Sequence, residues 1–434
     1  MSDRTTRELI EADQRFLWHP FTNNREWCSP EYEPLVLVEG HGAILRDSCG
    51  REYLDGNSSI WTNVHGHNHP HINAAIRRQL DQVAHTSFLG FTHPAAIELA
   101  RAVVALFPPN TLTRVFYSDD GSTGIEAALR MVDQYWRLRH KQRSQFIAFQ
   151  NAYHGDTAGA ASLGAAAMFQ AGPSRWNFPA VLVPTLAALE QLSEAVVAKT
   201  AAVVIEPLIQ GAAGMKLWPS GTLKAVREWC DRAGTLLIVD EVMTGFGRTG
   251  RMFAMEHEGV TPDIAIFGKA LTGGYLPLAI TVVTEEIFGR FDGSVAEGKA
   301  LAYGHSYTGN ALGCAAAMAS LEIFARDHVL EELGQKIQQM RSGLTRLERM
   351  PGVAEVRQCG FIAGIELKDG DGGASSADLA AKVCLAARQH GLLTRPIRNV
   401  IVLMPPFCVT AEQLTVATDA LANSIHEVCG RGME

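Results

Sequence analysis

Across roughly residues 66–325 the chain alternates short, mostly apolar runs with stretches in which apolar positions recur every three or four residues. The runs at 114–118, 145–149, 201–206, 236–240 and 264–267 end at turn residues and are apolar at successive positions, not at every second one. Strands buried on both faces read this way, and such strands belong to sheets covered by helices. The alternation predicts an α/β fold built on a mostly parallel sheet. Residues 1–65 break the pattern: they read as an arm in which Gly and Asp punctuate a small hairpin meander at 40–56. Beyond residue 325, runs at 356–367, 392–396 and 400–404 alternate with helical patterns and predict a smaller α+β unit. The expected organisation is therefore an arm (1–65), a large domain (66–325) and a small C-terminal domain (326–434). A chain of 434 residues exceeds what one core usually serves.

Composition narrows the function classes. A hydrophobic fraction of 47% with 19% charged residues describes an ordinary globule. A net charge of -8 gives no electrostatic reason to bind nucleic acid or an anionic membrane. No apolar stretch approaches the ~20 residues of a membrane span. The polar N-terminus lacks a signal-peptide core, so a cytoplasmic location is expected. The eight cysteines are scattered without a Cys-x-x-Cys pair, which fits reduced thiols. No metal site is expected: His65, His67, His69 and His71 alternate, but Gly66 and Pro70 among them mark a turn.

Two charges stand where the apolar pattern ends. Asp240 closes Thr-Leu-Leu-Ile-Val-Asp, and Lys269 follows Asp-Ile-Ala-Ile-Phe-Gly. Both would lie at the carboxyl ends of strands in one sheet, the edge along which open α/β sheets bind ligands. A lysine and a carboxylate converging there suit pyridoxal 5'-phosphate (PLP), which needs an amine to hold it and an acid partner for its ring nitrogen. Read singly, each has a plainer explanation: a helix cap for the Asp and a solvated turn for the Lys.

Other strings extend the constellation. Asp-Asp-Gly-Ser-Thr-Gly (119–124) follows a strand and opens a helix. It is either a phosphate cradle at Gly121 and Ser122 or a helix capped by Asp without a ligand. Tyr153, after the run 145–149, either lies flat on a pyridine ring or simply packs. Glu206 ends another apolar run and needs a buried partner. Gly-Phe-Gly-Arg-Thr-Gly (245–250) lacks dinucleotide spacing; its Arg248 is expected to pair with Glu206 or Glu241, or to meet a substrate carboxylate. Gly-His-Ser-Tyr-Thr-Gly-Asn (304–310) is a turn running into a small-residue helix, with Ser306 available to a phosphate. Arg395, before a proline, offers a fork for a carboxylate.

Together, Tyr-His-Gly, Val-Asp-Glu-Val, Gly-Phe-Gly-Arg-Thr-Gly, Gly-Lys-Ala-Leu-Thr-Gly-Gly and Ser-Tyr-Thr-Gly-Asn resemble, in order and over nearly the whole chain, the class III (omega) aminotransferases. Within that class, Trp-His-Pro-Phe-Thr (18–22), Asp-Gly-Asn-Ser-Ser-Ile-Trp (55–61) and Leu-Met-Pro-Pro-Phe (403–407) look most like the branch that aminates 8-amino-7-oxononanoate in biotin synthesis. The resemblance implies PLP fold type I, with a seven-stranded-type sheet and a small domain drawn from both termini. It also implies a homodimer with shared active sites, an amine donor and a keto-acid acceptor. Lys269 would hold PLP and act as base, Asp240 would meet the pyridine nitrogen, and Tyr153 would stack on the ring. Gly121, Ser122, Glu206, His305 and Ser306 would complete the cofactor site, Ser306 reaching over from the partner subunit. Trp61, Phe21 (with Trp18), Gly304, Arg248 and Arg395 would line the substrate site. Ile60 and Phe21 stand where synthases using S-adenosylmethionine carry Trp and Tyr; the donor is expected to be lysine or S-adenosylmethionine, with lysine favoured. Other omega-aminotransferase substrates, an aminomutase and a PLP-binding regulator are the alternatives.

Overall fold

The apolar runs do form one sheet. The structure, a computed structural model, describes residues 3–29, 32–164, 177–370 and 375–430. In chain order the strands are β1 (Leu112–Ser118), β2 (Gln145–Phe149), β3 (Val181–Val183), β4 (Thr200–Ile205), β5 (Leu236–Asp240), β6 (Ile264–Phe267) and β7 (Ala279–Thr284). Across the sheet they run β1-β7-β6-β5-β4-β2-β3. Only β7 is antiparallel to its neighbours; the other adjacent pairs are parallel. Every residue of β4 and β5 is buried, as their unbroken apolar strings require.

Register decides which side chains share the carboxyl edge. Val239 lies opposite Ile205, so Asp240 and Glu206 emerge side by side. Asp240 lies opposite Ile266, so Lys269 follows three residues beyond that pairing. The helix Gly121–Leu138 starts from the same edge after β1. Its buried Ile125, Ala128, Val132 and Trp136 recur at helical spacing and pack on the sheet. Burying each large apolar side chain contributes about 1.5–3 kcal/mol, which anchors the helix start against the strand ends.

Two strands differ from the sequence reading. Val181–Val183 is three residues between prolines, too short for a periodic signal. Ala279–Thr284 runs antiparallel from a Gly- and Pro-rich turn that masks its start. The run 356–367 is in fact a hairpin, Val353–Cys359 and Ile362–Leu367, that turns at Gly360. There φ is +58° and a Cβ would stand 2.3 Å from the Thr249 carbonyl carbon. That hairpin forms an antiparallel sheet with Val400–Leu403 and Pro396–Ile397. The strands Leu37–His41, Ile44–Asp47 and Glu52–Asp55 make a third sheet, which Leu392–Leu393 extends in parallel, joining the two ends of the chain.

Beyond that third sheet the backbone enters an uncommon conformation. Ser58, Ser59, Ile60 and Trp61 have φ of 45°, 49°, 65° and 67°, one complete left-handed turn without a glycine. Left-handed helical backbone costs about 1–2 kcal/mol per L-residue, so the surroundings must hold it.

Candidate active site

A cavity of about 770 Å³ opens at the carboxyl edge of the sheet. Its wall includes Trp61, Gly121, Ser122, Tyr153, Glu206, Asp240 and Lys269. Asp240 is 5% exposed; its Oδ2 accepts from His154 Nδ1 at 2.7 Å and its Oδ1 from the Val242 amide at 3.0 Å. Burial opposes protonation of His154, but the bond to Asp240 and the nearby charges lift its pKa above the ordinary value. The short bond to His154 fixes the orientation of the Asp240 carboxylate. His154 Nε2 is buried without a hydrogen-bond partner among the described residues.

Glu206 accepts from the amides of Tyr153 and Gly211, both at 3.2 Å. Burial pushes its carboxyl up to about 7, against the pull of His154 and those two amides. Lys269 has φ +42° just after β6, and its Nζ stands 5.3 Å from the centre of the Trp61 ring. Burial lowers its pKa, while Asp240 and Glu206 push it back up. Such an amine yields its proton more readily than a surface lysine.

The cradle side is built by close packing. Asp120 caps the helix Gly121–Leu138 through a reciprocal capping box with Thr123, leaving the first-turn amides of Gly121 and Ser122 at the cavity. Ser122 Oγ accepts from the amides of Asp156 and Thr157 at 2.8 and 3.1 Å, locking the loop after Tyr153 onto the helix start. A Cβ on Gly155, where φ is +122°, would stand 2.0 Å from Ser122 Oγ. A Cβ on Gly121 would stand 2.7 Å from Val242. Both glycines therefore allow a close approach that a Cβ would block. Amine, acid, helix N-terminus and flanking Tyr ring meet on one wall, and this set fits the amine, acid, phosphate-donor and ring contacts that PLP needs.

The other expected residues lie elsewhere. Arg248 is fully buried, donates to the backbone carbonyls of Pro405 (2.8 Å) and Asn63 (3.1 Å), and stacks on Phe407. It pairs with neither Glu206 nor Glu241 and does not line the cavity, which corrects the expectation of an ion pair or a substrate contact. The glycine turn around it folds the side chain inward, where it ties 63, 248 and 405 together; burial pulls its pKa down to about 9. Glu241 instead holds the Thr244 hydroxyl and the Met255 amide, and burial raises it to about 7. Arg395, Phe21 and Trp18 are exposed and do not line this cavity. His305 hydrogen-bonds Asp119, itself a wall residue, while Gly304 and Ser306 lie off the wall. The alternating histidines diverge: His65 meets Ser320, His67 meets Asp55 and His71 meets Glu322.

His154 is the site residue that sequence reasoning passed over. The available signal was its place beside Tyr153, one strand away from the Asp240 strand's neighbour.

Comparison with known proteins identifies the family. A family model described as aminotransferase class-III matches residues 28–425. The adenosylmethionine-8-amino-7-oxononanoate aminotransferase of Geobacter sulfurreducens is 44% identical over 99% of this chain and 100% of its own. A crystal structure of the protein of that name from Methanocaldococcus jannaschii superposes with a TM-score of 0.93 at 38% identity, covering 97% of this chain and 99% of the other. An omega transaminase from Pseudomonas jessenii, solved in complex with PMP, gives 0.90 at 28% identity over 98% and 99%.

Proposed function

Because the chain belongs to the class-III aminotransferases, which are PLP-dependent enzymes, we propose that it transfers an amino group to carbon 7 of 8-amino-7-oxononanoate, forming 7,8-diaminononanoate. The observation that carries this reading is the wall on which Lys269, Asp240, Glu206, Tyr153 and the Gly121–Ser122 amides converge, in a chain similar end to end to proteins bearing that substrate's name.

In this reading PLP, when bound, supplies a protonated ring that withdraws electrons from the substrate carbon losing its proton. Lys269 would anchor the cofactor, and its amine, with its lowered pKa, would serve as the base that takes that proton at Nζ. Asp240, oriented by His154, would meet the ring nitrogen and favour its protonated form. Tyr153 lies against the ring, and its hydroxyl donates to Asp156 at 2.7 Å, which steadies the phenol. The amides of Gly121 and Ser122 meet the phosphate. Trp61 walls off water on the substrate side.

Ser306, Phe21 and Arg395 complete the site in a homodimer. Their exposure on a single chain supports that arrangement. There Ser306 serves the phosphate held by the other copy, Arg395 binds the acceptor's carboxylate, and Phe21 closes the channel.

Two donors rest on different observations. The names of the relatives include adenosylmethionine; Ile60 and Phe21, in place of Trp and Tyr, favour lysine, whose slim chain needs fewer aromatic walls than a sulfonium beside adenine. The test gives purified, PLP-loaded protein 8-amino-7-oxononanoate with lysine or S-adenosylmethionine and detects 7,8-diaminononanoate by mass spectrometry. Product with either donor supports the reading and names the donor. No product with either, while another amine is consumed, overturns the acceptor.

A further inference from the structure

We propose that Asp55 is a positioning residue that clamps the left-handed turn Ser58–Trp61 and so holds the Trp61 ring beside Lys269. The inference deepens the reading of Trp61 and Lys269 as active-site residues and rests on it.

Ser58, Ser59, Ile60 and Trp61 all have φ between 45° and 67°, and the β-branched Ile60 is the least suited of them to that region. Nothing in the local sequence favours the turn, since no glycine occurs between Gly56 and Gly66. The turn therefore depends on what surrounds it. Asp55 is 3% exposed and aims its two oxygens at the turn and at His67. Oδ1 accepts from the amides of Ser59 (3.1 Å) and Asn57 (3.3 Å). Oδ2 accepts from the Ser59 hydroxyl and from His67 Nε2, each at 2.9 Å. His67 Nδ1 in turn meets Asn63 Nδ2 at 3.0 Å, so one carboxylate closes the loop from 55 to 67.

The turn and the indole move as a unit. Trp61 Nε1 donates to Asn57 Oδ1 at 2.9 Å, and the Trp61 amide donates to the Asn57 carbonyl at 2.9 Å. Both anchors lie inside the clamped segment. The indole also forms part of the cavity wall, 5.3 Å from Lys269 Nζ at its ring centre. If the clamp opens, the backbone relaxes toward ordinary conformations and carries the ring off the wall. Asp55 does not line the cavity, so its effect should fall on how substrate is seated and not on the proton transfer.

The test is Asp55→Asn. An Asn side chain still accepts at Oδ1, but its amide nitrogen cannot accept from Ser59 Oγ or His67 Nε2. The holoenzyme should show KM raised about tenfold with kcat within about threefold, the span of a coupling between touching residues. In cofactor-free protein labelled with 5-fluorotryptophan, the Trp61 fluorine resonance, assigned through Trp61→Phe, should shift or broaden. Glycine enters the left-handed region freely. In an Ile60→Gly background, where the turn needs less holding, the same Asp55→Asn change should raise KM by less than about threefold. Equal KM effects in the two backgrounds, or an unmoved Trp61 resonance beside a lowered melting temperature, would overturn the proposal and leave Asp55 a plain stabilising residue. Ser59→Ala, which removes one donor to Oδ2, gives the same readouts with the same signs should Asp55→Asn be recovered in too low a yield. A shifted Trp61 resonance with KM unchanged in both Asp55→Asn and Trp61→Phe would instead sink the placement of Trp61 in the site, while leaving the clamp intact.

Discussion

The sheet-edge half of the site and the arm-side half are built by different means. Asp240, Glu206 and Lys269 stand at or just past the ends of adjacent parallel strands, and strand register alone brings them together. Trp61 reaches the same cavity on a strained turn held by side chains from Asp55 to His67. Phe21, Ser306 and Arg395 do not line this cavity. Strand register thus places Asp240, Glu206 and Lys269, a side-chain network places Trp61, and in the proposed reading a second copy would bring Phe21, Ser306 and Arg395.

The largest test of that division is Lys269→Ala. It removes the anchor and base together, so turnover should fall by more than about a thousandfold while the apoprotein's melting temperature stays near wild type. Turnover within tenfold of wild type would break the sheet-edge half of the account. Arg395→Ala should act on the other half alone. KM for the acceptor should rise about a hundredfold, the loss of a paired carboxylate, with kcat and the donor's KM little changed. A fall in kcat that leaves the acceptor's KM untouched would contradict that role, and steady-state kinetics at varied acceptor distinguishes the two.

The smallest effect concerns stability. Glu241, buried behind the strand end, has a folded-state pKa of about 7 against an ordinary 4.5. Between those values the unfolded chain gives up a proton that the folded chain keeps. Its stabilising contribution is therefore complete below about pH 4.5 and is lost as pH rises toward 7. Glu241→Gln should flatten that part of the apoprotein's melting profile relative to wild type. An identical profile from pH 5 to 7 would show that Glu241 is not protonated in the fold.

The same division explains what was legible in the sequence. Five of the seven central strands, and the positions of Asp240, Glu206 and Lys269 on their edge, follow from apolar runs that end in a charge, because burial on both faces writes itself into consecutive residues. Tyr153, Gly121 and Ser122 were visible as strand-to-helix turns. Arg248 was misplaced because sequence shows a charge but not the carbonyls that can satisfy it; the groups that bind it come from residues 63 and 405. The left-handed turn was invisible for a related reason. Asn-Ser-Ser-Ile-Trp carries no glycine to announce positive φ, and the carboxylate that enforces it acts through folded contacts. His154 went unassigned because its partner, Asp240, lies 86 residues away.

The most direct test of the central claim is to map where PLP attaches. Holoenzyme is treated with borohydride to fix the cofactor to its lysine, digested, and the labelled peptide sequenced by mass spectrometry. The account predicts a single label on Lys269, in the peptide that follows Asp-Ile-Ala-Ile-Phe-Gly. A label on any other lysine, or none on protein that binds PLP, would contradict it.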